Sequence, residues 1–233
     1  MPQPTASTRD PFELPLSRHI WETKYRNPET DSGINDTWSR VAAAVSAPEA
    51  AGRDHWRTEF GTLLRDFRFL PGGRILAGAG TGRSVTLFNC FVMGHIRDSL
   101  DGIFDALKEG ALTMQQGGGI GNDFSTLRPA GTAATSHGAI ASGPVSFMRI
   151  WDSMCATLLS TGNRRGAMMA TLRCDHPDIE AFVDAKREPH ELRNFNLSVL
   201  VTDAFIDAVR ADGDWPLVFP TKAIRAGRED QVI

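Results

Sequence analysis

From residue 85 onward the sequence alternates between short apolar runs and stretches of helical period, and this alternation limits the fold more than any other feature. The runs Val85 to Met93, Ala167 to Leu172, Phe195 to Val201 and Trp215 to Phe219 have the length and composition of strands. Between the first two, Asp98 and Ser99 open a helix in which Leu100, Ile103, Phe104, Leu107, Ala111 and Met114 recur with helical period. Pro144 suits the first turn of a second helix, with Met148, Trp151, Cys155 and Leu158 on one stripe and Gly162 at its close. Asp175-His176-Pro177 starts a third, carrying Ile179, Phe182 and Val183, and Thr202 or Asp203 caps a fourth. Alternation of this kind predicts an α/β architecture with parallel strands. A closed eight-stranded α/β barrel needs about 250 residues for itself, more than this region supplies. The sheet is therefore expected to be open and small, or the chain to be a piece of something larger.

The first third reads differently. A short helix is expected over Ser17 to Tyr25, then a helix capped by Asp36 with Trp38, Val41, Ala42 and Val45 on one face. A further helix carries Trp56, Phe60, Leu63, Leu64 and Phe67 and stops at Pro71-Gly72-Gly73. The expected division is a helical region over 1–70 and an α/β region over 71–233.

Composition excludes several classes. The 233 residues carry a formal net charge of −3 with 41% hydrophobic content, which gives no support for a bulk electrostatic binder of nucleic acid. No apolar stretch approaches the roughly 20 residues that span a bilayer, and residues 1–7 lack the apolar core of a secretory signal. The three cysteines, Cys90, Cys155 and Cys174, are odd in number and far apart. They suit a reducing, cytoplasmic compartment rather than a disulfide framework. Cys174 and His176 stand two apart, unlike zinc-ligand spacings, and no metal site is expected.

Four stretches could carry chemistry. Cys90, beside Asn89 in its apolar run, is either a small buried hydrophobe or a redox-active thiol. Gln115-Gln116-Gly117-Gly118-Gly119-Ile120-Gly121 is a tight turn or a place of close backbone approach; no Gly-Lys-Ser/Thr follows, so it is not a Walker phosphate loop. The polar stretch from Arg128 to Ser142 is long enough to be functional. Arg164 and Arg165, held between glycines, suit either anion recognition or a solvated surface.

Taken in order, Phe-Leu-Pro-Gly-Gly-Arg, Leu-Phe-Asn-Cys, Gln-Gln-Gly-Gly-Gly-Ile-Gly, Ser-Gly-Pro-Val-Ser-Phe-Met, Arg-Arg-Gly-Ala-Met-Met, Asp-His-Pro-Asp-Ile-Glu and Asn-Phe-Asn-Leu-Ser-Val closely resemble the ribonucleotide reductase large chain, in its adenosylcobalamin-dependent class II form. The resemblance runs from about Ile20 to Phe219 and implies an N-terminal helical region followed by the first part of a reductase-type α/β barrel. It implies that Cys90 belongs to the thiol pair that reduces the ribose 2′ position and becomes a disulfide. Asn89, Gly119 and Arg165 match positions beside the substrate ribonucleotide. Asp98, Ser99 and Leu100 match the start of the helix that contacts the sugar of a deoxynucleoside triphosphate effector, and Arg128 a basic residue near its phosphates. The stretches 131–141 and 162–167 resemble the two loops that carry effector identity to the substrate, and the helix from Pro144 to Thr161 one at a homodimer interface.

The family also uses a radical cysteine and a glutamate in an Asn-Pro-Cys-Gly-Glu-like motif, which does not occur here. The second redox cysteine, the cobalamin-contacting segments and the cysteines served by a thioredoxin-type or dithiol reductant are missing with it. The chain is therefore expected to be an N-terminal fragment of a vitamin B12-dependent ribonucleoside-diphosphate reductase. The alternative is a non-catalytic module that binds deoxynucleotide or dimerises.

Overall fold

The computed structural model describes residues 12–132, 140–158, 167–188 and 190–220. They form two compact units, Met1–Asn89 and Cys90–Ile233. The expected boundary after residue 70 falls inside the first unit.

The first unit is helical. Helix α1 (Pro15–Ile20) runs on into a wider turn (Trp21–Tyr25), followed by α2 (Ile34–Ser46), α3 (Arg53–Leu64), a 3₁₀ turn (Arg65–Phe67) and α4 (Gly73–Gly78). Asp36 lies one turn inside α2 rather than at its cap. Its carboxylate reaches back to accept the amides of Ser32 (2.9 Å) and Gly33 (3.1 Å), which leaves glycine at the cap itself. Helix α3 stops at Leu64, well before Pro71, because Asp66 and Phe67 turn into the left-handed region (φ 58° and 56°). That turn sets the Phe67 ring edge-on to Trp38 (5.3 Å) and Phe12 (5.9 Å). Of the expected α3 face, Leu64 is buried while Trp56 and Leu63 are exposed.

At the centre of this unit is a buried ion pair. Arg40 bonds the Asp31 carboxylate at 2.8 Å and also donates to the carbonyls of Tyr25, Leu76 and Ala79, tying α2 to the wide turn and to α4. Burial opposes ionisation of Asp31. The bonds from Arg40, Thr37, Asn27 and Thr30 outweigh it and hold the carboxyl well below the usual range.

The second unit is the predicted α/β region. Strands β1 (Cys90–Val92), β2 (Gly119–Asp123), β3 (Met168–Arg173) and β4 (Phe195–Leu200) form one parallel sheet in the order β1-β2-β3-β4. Helices α5 (Leu100–Gln115), α6 (Gly143–Thr157), α7 (Ile179–Asp184) and α8 (Asp203–Arg210) complete the unit. Its core joins Ile103, Ile120, Phe124, Met148, Trp151 and Met168, so one sheet face is covered. Cys155 belongs to the same core, as its stripe on α6 predicts.

Two strand expectations change. Val85 to Leu87 is not strand: Thr86 accepts the Phe88 amide in a local turn, and Val85 packs so close to Gly78 that a Cβ there would lie 2.8 Å from it. Trp215 to Phe219 is not strand either. Val218 donates to Asp175 and the Trp215 indole to Cys174, but Pro216 has no N–H to continue a ladder. The sheet instead gains β2, Gly119–Asp123, from the expected glycine turn. Strand β4 ends at Leu200, one residue short of the expected run; it buries Phe195 but leaves Val199 exposed, and Val201 just beyond it is exposed as well. Helix α5 likewise buries Ile103 and Met114 but exposes Leu100 and Phe104.

Removing the Arg40 side chain (Arg40→Ala) strands a buried carboxylate and should cost about 3–5 kcal/mol, read by urea denaturation. The Asp31 contribution depends on pH. Its folded pKa lies below the unfolded 3.8, so the stabilisation is complete above that value and is lost as pH falls beneath it. Asp31→Asn should flatten the acid limb of a stability–pH curve.

Candidate functional site

Parallel register decides what each sheet face carries. Cys90 pairs with Gly119, Gly121 with Met169, and Asp123 with Thr171, which pairs in turn with Ser198. Side chains opposite one another in register share a face. Hence Cys90, Val92, Gly119, Gly121, Asp123, Met169, Thr171, Asn196 and Ser198 lie on one side, and Ile120, Met168, Ala170 and Phe195 on the helix-covered side. Cys90 is exposed, which removes the buried-hydrophobe reading of this thiol. Val92 beside it is 97% exposed. The open face is therefore a glycine floor with a thiol at one end and hydroxyls and a carboxylate at the other. Asp123 accepts from Ser125 (2.6 Å) and Thr171 (3.1 Å), fixing that polar end.

The glycines have a structural reason as well. A Cβ at Gly118 would lie 2.6 Å from the Phe91 ring, so the approach of β1 to the start of β2 requires glycine there. Asn89 directly precedes Cys90 in the chain and is the last residue of the first unit, where its amide lies against Gly72.

The other two cysteines cannot pair with Cys90. Cys155 lies in the core on the covered side. Cys174 follows the far end of β3, about 20 Å along the strand direction from the Cys90 level at roughly 3.3 Å per residue. A disulfide needs Cα atoms within about 7 Å.

A second cluster lies at the start of α5. Ser99 caps the helix, its hydroxyl accepting the Gly102 amide at 3.0 Å. Asp98 is almost fully buried and takes both the Arg128 amide (3.1 Å) and the Arg128 Nε (2.6 Å), while its carbonyl accepts from Nη2 (3.1 Å). Two of the four expected effector residues are thus partners, and Ser99 adjoins them. Leu100 is 64% exposed. Arg165, with the stretch 162–166, lies outside the described residues.

Sequence reasoning did not single out Asp123, Thr171 or Asp178. Asp178 holds the Ala130 amide at 2.9 Å; Asp-His-Pro-Asp-Ile-Glu carried it, without indicating that it folds against residue 130. His176 is buried, 2% exposed; it accepts the Asp178 amide at Nδ1 (3.0 Å), just before α7, and bonds the Leu127 carbonyl through Nε2 (2.9 Å). Both ring nitrogens are occupied, which leaves none for a metal. Burial pushes the His176 pKa down.

Comparison with known families finds the ribonucleotide reductase all-alpha domain over residues 14–84 and the ribonucleotide reductase barrel domain over 88–231. The vitamin B12-dependent ribonucleoside-diphosphate reductase of Mycobacterium tuberculosis (strain CDC 1551 / Oshkosh) is 44% identical over 222 residues, 91% of this chain and 32% of that protein. Its namesake from Thermoplasma acidophilum is 41% identical over 212 residues, 90% of this chain and 27% of that protein. The large subunit of the ribonucleoside-diphosphate reductase of Vaccinia virus is 33% identical over 163 residues, covering 68% and 21%. The chain spans a third or less of the length of these relatives.

In the native chain Cys90 alone should react rapidly with a thiol reagent such as DTNB, with all three cysteines reacting after unfolding. Because His176 has a lowered folded pKa, its contribution to stability is complete above the unfolded 6.5 and is lost as pH falls toward the folded value. His176→Gln should remove that part of the pH dependence in thermal melts.

Proposed function

The chain belongs to the ribonucleotide reductase large-chain family, and from that membership we propose that it supplies the regulatory-nucleotide region and one redox thiol of a vitamin B12-dependent ribonucleoside-diphosphate reductase. The observation that carries this reading is the exposed Cys90 on an open, glycine-floored sheet face. A ribonucleotide laid on that face meets a thiol where no side chain at Gly119 keeps it away, with Asn89 next to Cys90 in the chain and Arg165 after α6. Two thiols reduce the ribose 2′ carbon by giving up two electrons and two protons and forming one S–S bond, and the 2′ hydroxyl leaves as water. Cys90 is one of them, and its partner comes from outside these 233 residues. A cytoplasmic setting and a thioredoxin-type or dithiol reductant fit a thiol that must be returned to its reduced form.

Adenosylcobalamin supplies the radical that starts this chemistry when bound. One thiol, one carboxylate and a few hydroxyls on the open face do not by themselves fit a corrin ring, so no step here is assigned to it. Asp98, Ser99, Leu100 and Arg128 bind a deoxynucleoside triphosphate on this reading. The Asp98 contacts hold the Arg128 guanidinium in one orientation, the condition for fork-like recognition of phosphate oxygens. Helix α6 serves a homodimer contact.

A second reading is a non-catalytic module that binds deoxynucleotide or dimerises. It is favoured by the position of Cys155 and Cys174, neither of which can close on Cys90.

Reduction of a ribonucleoside diphosphate with adenosylcobalamin and a dithiol separates the two. The chain alone should not turn over, whereas the chain supplemented with the remaining two-thirds of a relative should, and Cys90→Ser should abolish that activity. Turnover by the 233 residues alone would refute the division of labour. Equilibrium binding of labelled dTTP or dATP should saturate for the wild type and weaken at least about tenfold in Arg128→Ala.

A further inference from the structure

We propose that His176 and Asp178 are positioning residues of the regulatory-nucleotide site, gripping from the turn after β3 the segment that carries Arg128. The inference rests on the reading of Asp98 and Arg128 given above and adds to it the part that sets their geometry.

The segment leaves β2 through Leu127 and returns at Gly143, and its described ends are already drawn together. The Gly131 amide donates to Ala141 (3.0 Å), and the Ala141 amide donates to Thr132 (2.8 Å). Inside that closure Arg128 is bound by Asp98. Two further bonds come from a single short turn on the other side. His176 Nε2 meets the Leu127 carbonyl, one residue before Arg128, and Asp178 Oδ2 accepts the Ala130 amide, two residues after it. Arg128 is thus bracketed.

The two gripping residues are themselves coupled. The Asp178 amide donates to His176 Nδ1, so this nitrogen carries no proton and Nε2 is the donor to Leu127. Asp178 also stands at the N-cap position of α7, yet its carboxylate makes no capping bond there. An aspartate at that position ordinarily caps its own helix; this one is turned to Ala130 instead. Gly143 completes the grip from the returning end. It has φ +77°, and a Cβ on it would lie 2.5 Å from Asp178 Oδ2 and 2.9 Å from the Ala130 nitrogen. Arg173, Asp175 and Asp178 are the charged groups around the imidazole.

The test uses the full chain in two measurements. Amide hydrogen exchange reads the grip without any ligand: Asp178→Ala should raise exchange at Ala130 and Gly131, and Asp178→Asn, which keeps an acceptor oxygen, should leave it near wild type. Binding of labelled dTTP or dATP reads the consequence. Asp178→Ala and His176→Phe should each weaken it roughly tenfold, the size of one lost bond to a charged or buried group, with cooperative melting retained. Asp178→Asn and His176→Gln should remain within about twofold. Unchanged exchange in Asp178→Ala, or wild-type affinity in both disruptive variants, would overturn the proposal. A wild-type chain that binds no deoxynucleotide would instead overturn the regulatory reading, with exchange still deciding whether the grip exists.

Discussion

The parallel register of β1, β2 and β3 is the constraint on which the α/β unit depends. Because strand side chains alternate, a slip of one residue between β2 and β3 would exchange Ile120 and Phe124 with Gly119, Gly121 and Asp123. The core over α5 and α6 would lose its apolar floor, and Cys90 would face a different set of neighbours. The register is held from the covered side by packing around Trp151 and Phe124, and from the open side by the Thr171–Asp123 hydrogen bond. The packing of the core and the exposure of Cys90 are therefore set by one alignment. The apolar face makes the sheet fold, and the alternation exposes the thiol on the other.

A second level of order is polar. Asp98 reaches across 30 residues to Arg128, and Asp178 across 48 to Ala130. Neither contact belongs to the regular elements. Both fix the path by which the segment after β2 leaves the sheet, the geometry a loop needs from its scaffold. The Asp31–Arg40 pair does a similar task in the helical unit, where one guanidinium satisfies three carbonyls at helix ends that would otherwise lack partners.

Much of this was legible in the residues. The helical period of α5 and of α6, the Ser99 and Thr202 caps and the apolar runs of β3 and β4 are local signals, and the elements form there, although α6 stops at Thr157, short of the expected Gly162. What was not legible is non-local. Gly119–Asp123 has the composition of a turn; it is a strand because β1 and β3 stand on either side and bond it. Val85 to Leu87 has the composition of a strand but is drawn to Gly78. For the site, the ordered motifs pointed to Cys90, and its exposure agrees with a reactive thiol. The pairing of Asp98 with Arg128 and the inward turn of His176 depend on distant segments meeting, which spacing along the chain does not encode.

The spatial order of the strands is also their order in the sequence. Each new strand adds to the edge left by the one just before it, so no strand must wait for a later one to be inserted between neighbours. A chain emerging from the ribosome can thus lay down the sheet in the direction of synthesis, since domains form N-terminal first as residues appear. Each addition closes only the crossover just made, which keeps the entropic cost of every step close to that of one helix-containing loop. At every stage the growing edge of the sheet is the most recently made strand, ready to receive the next.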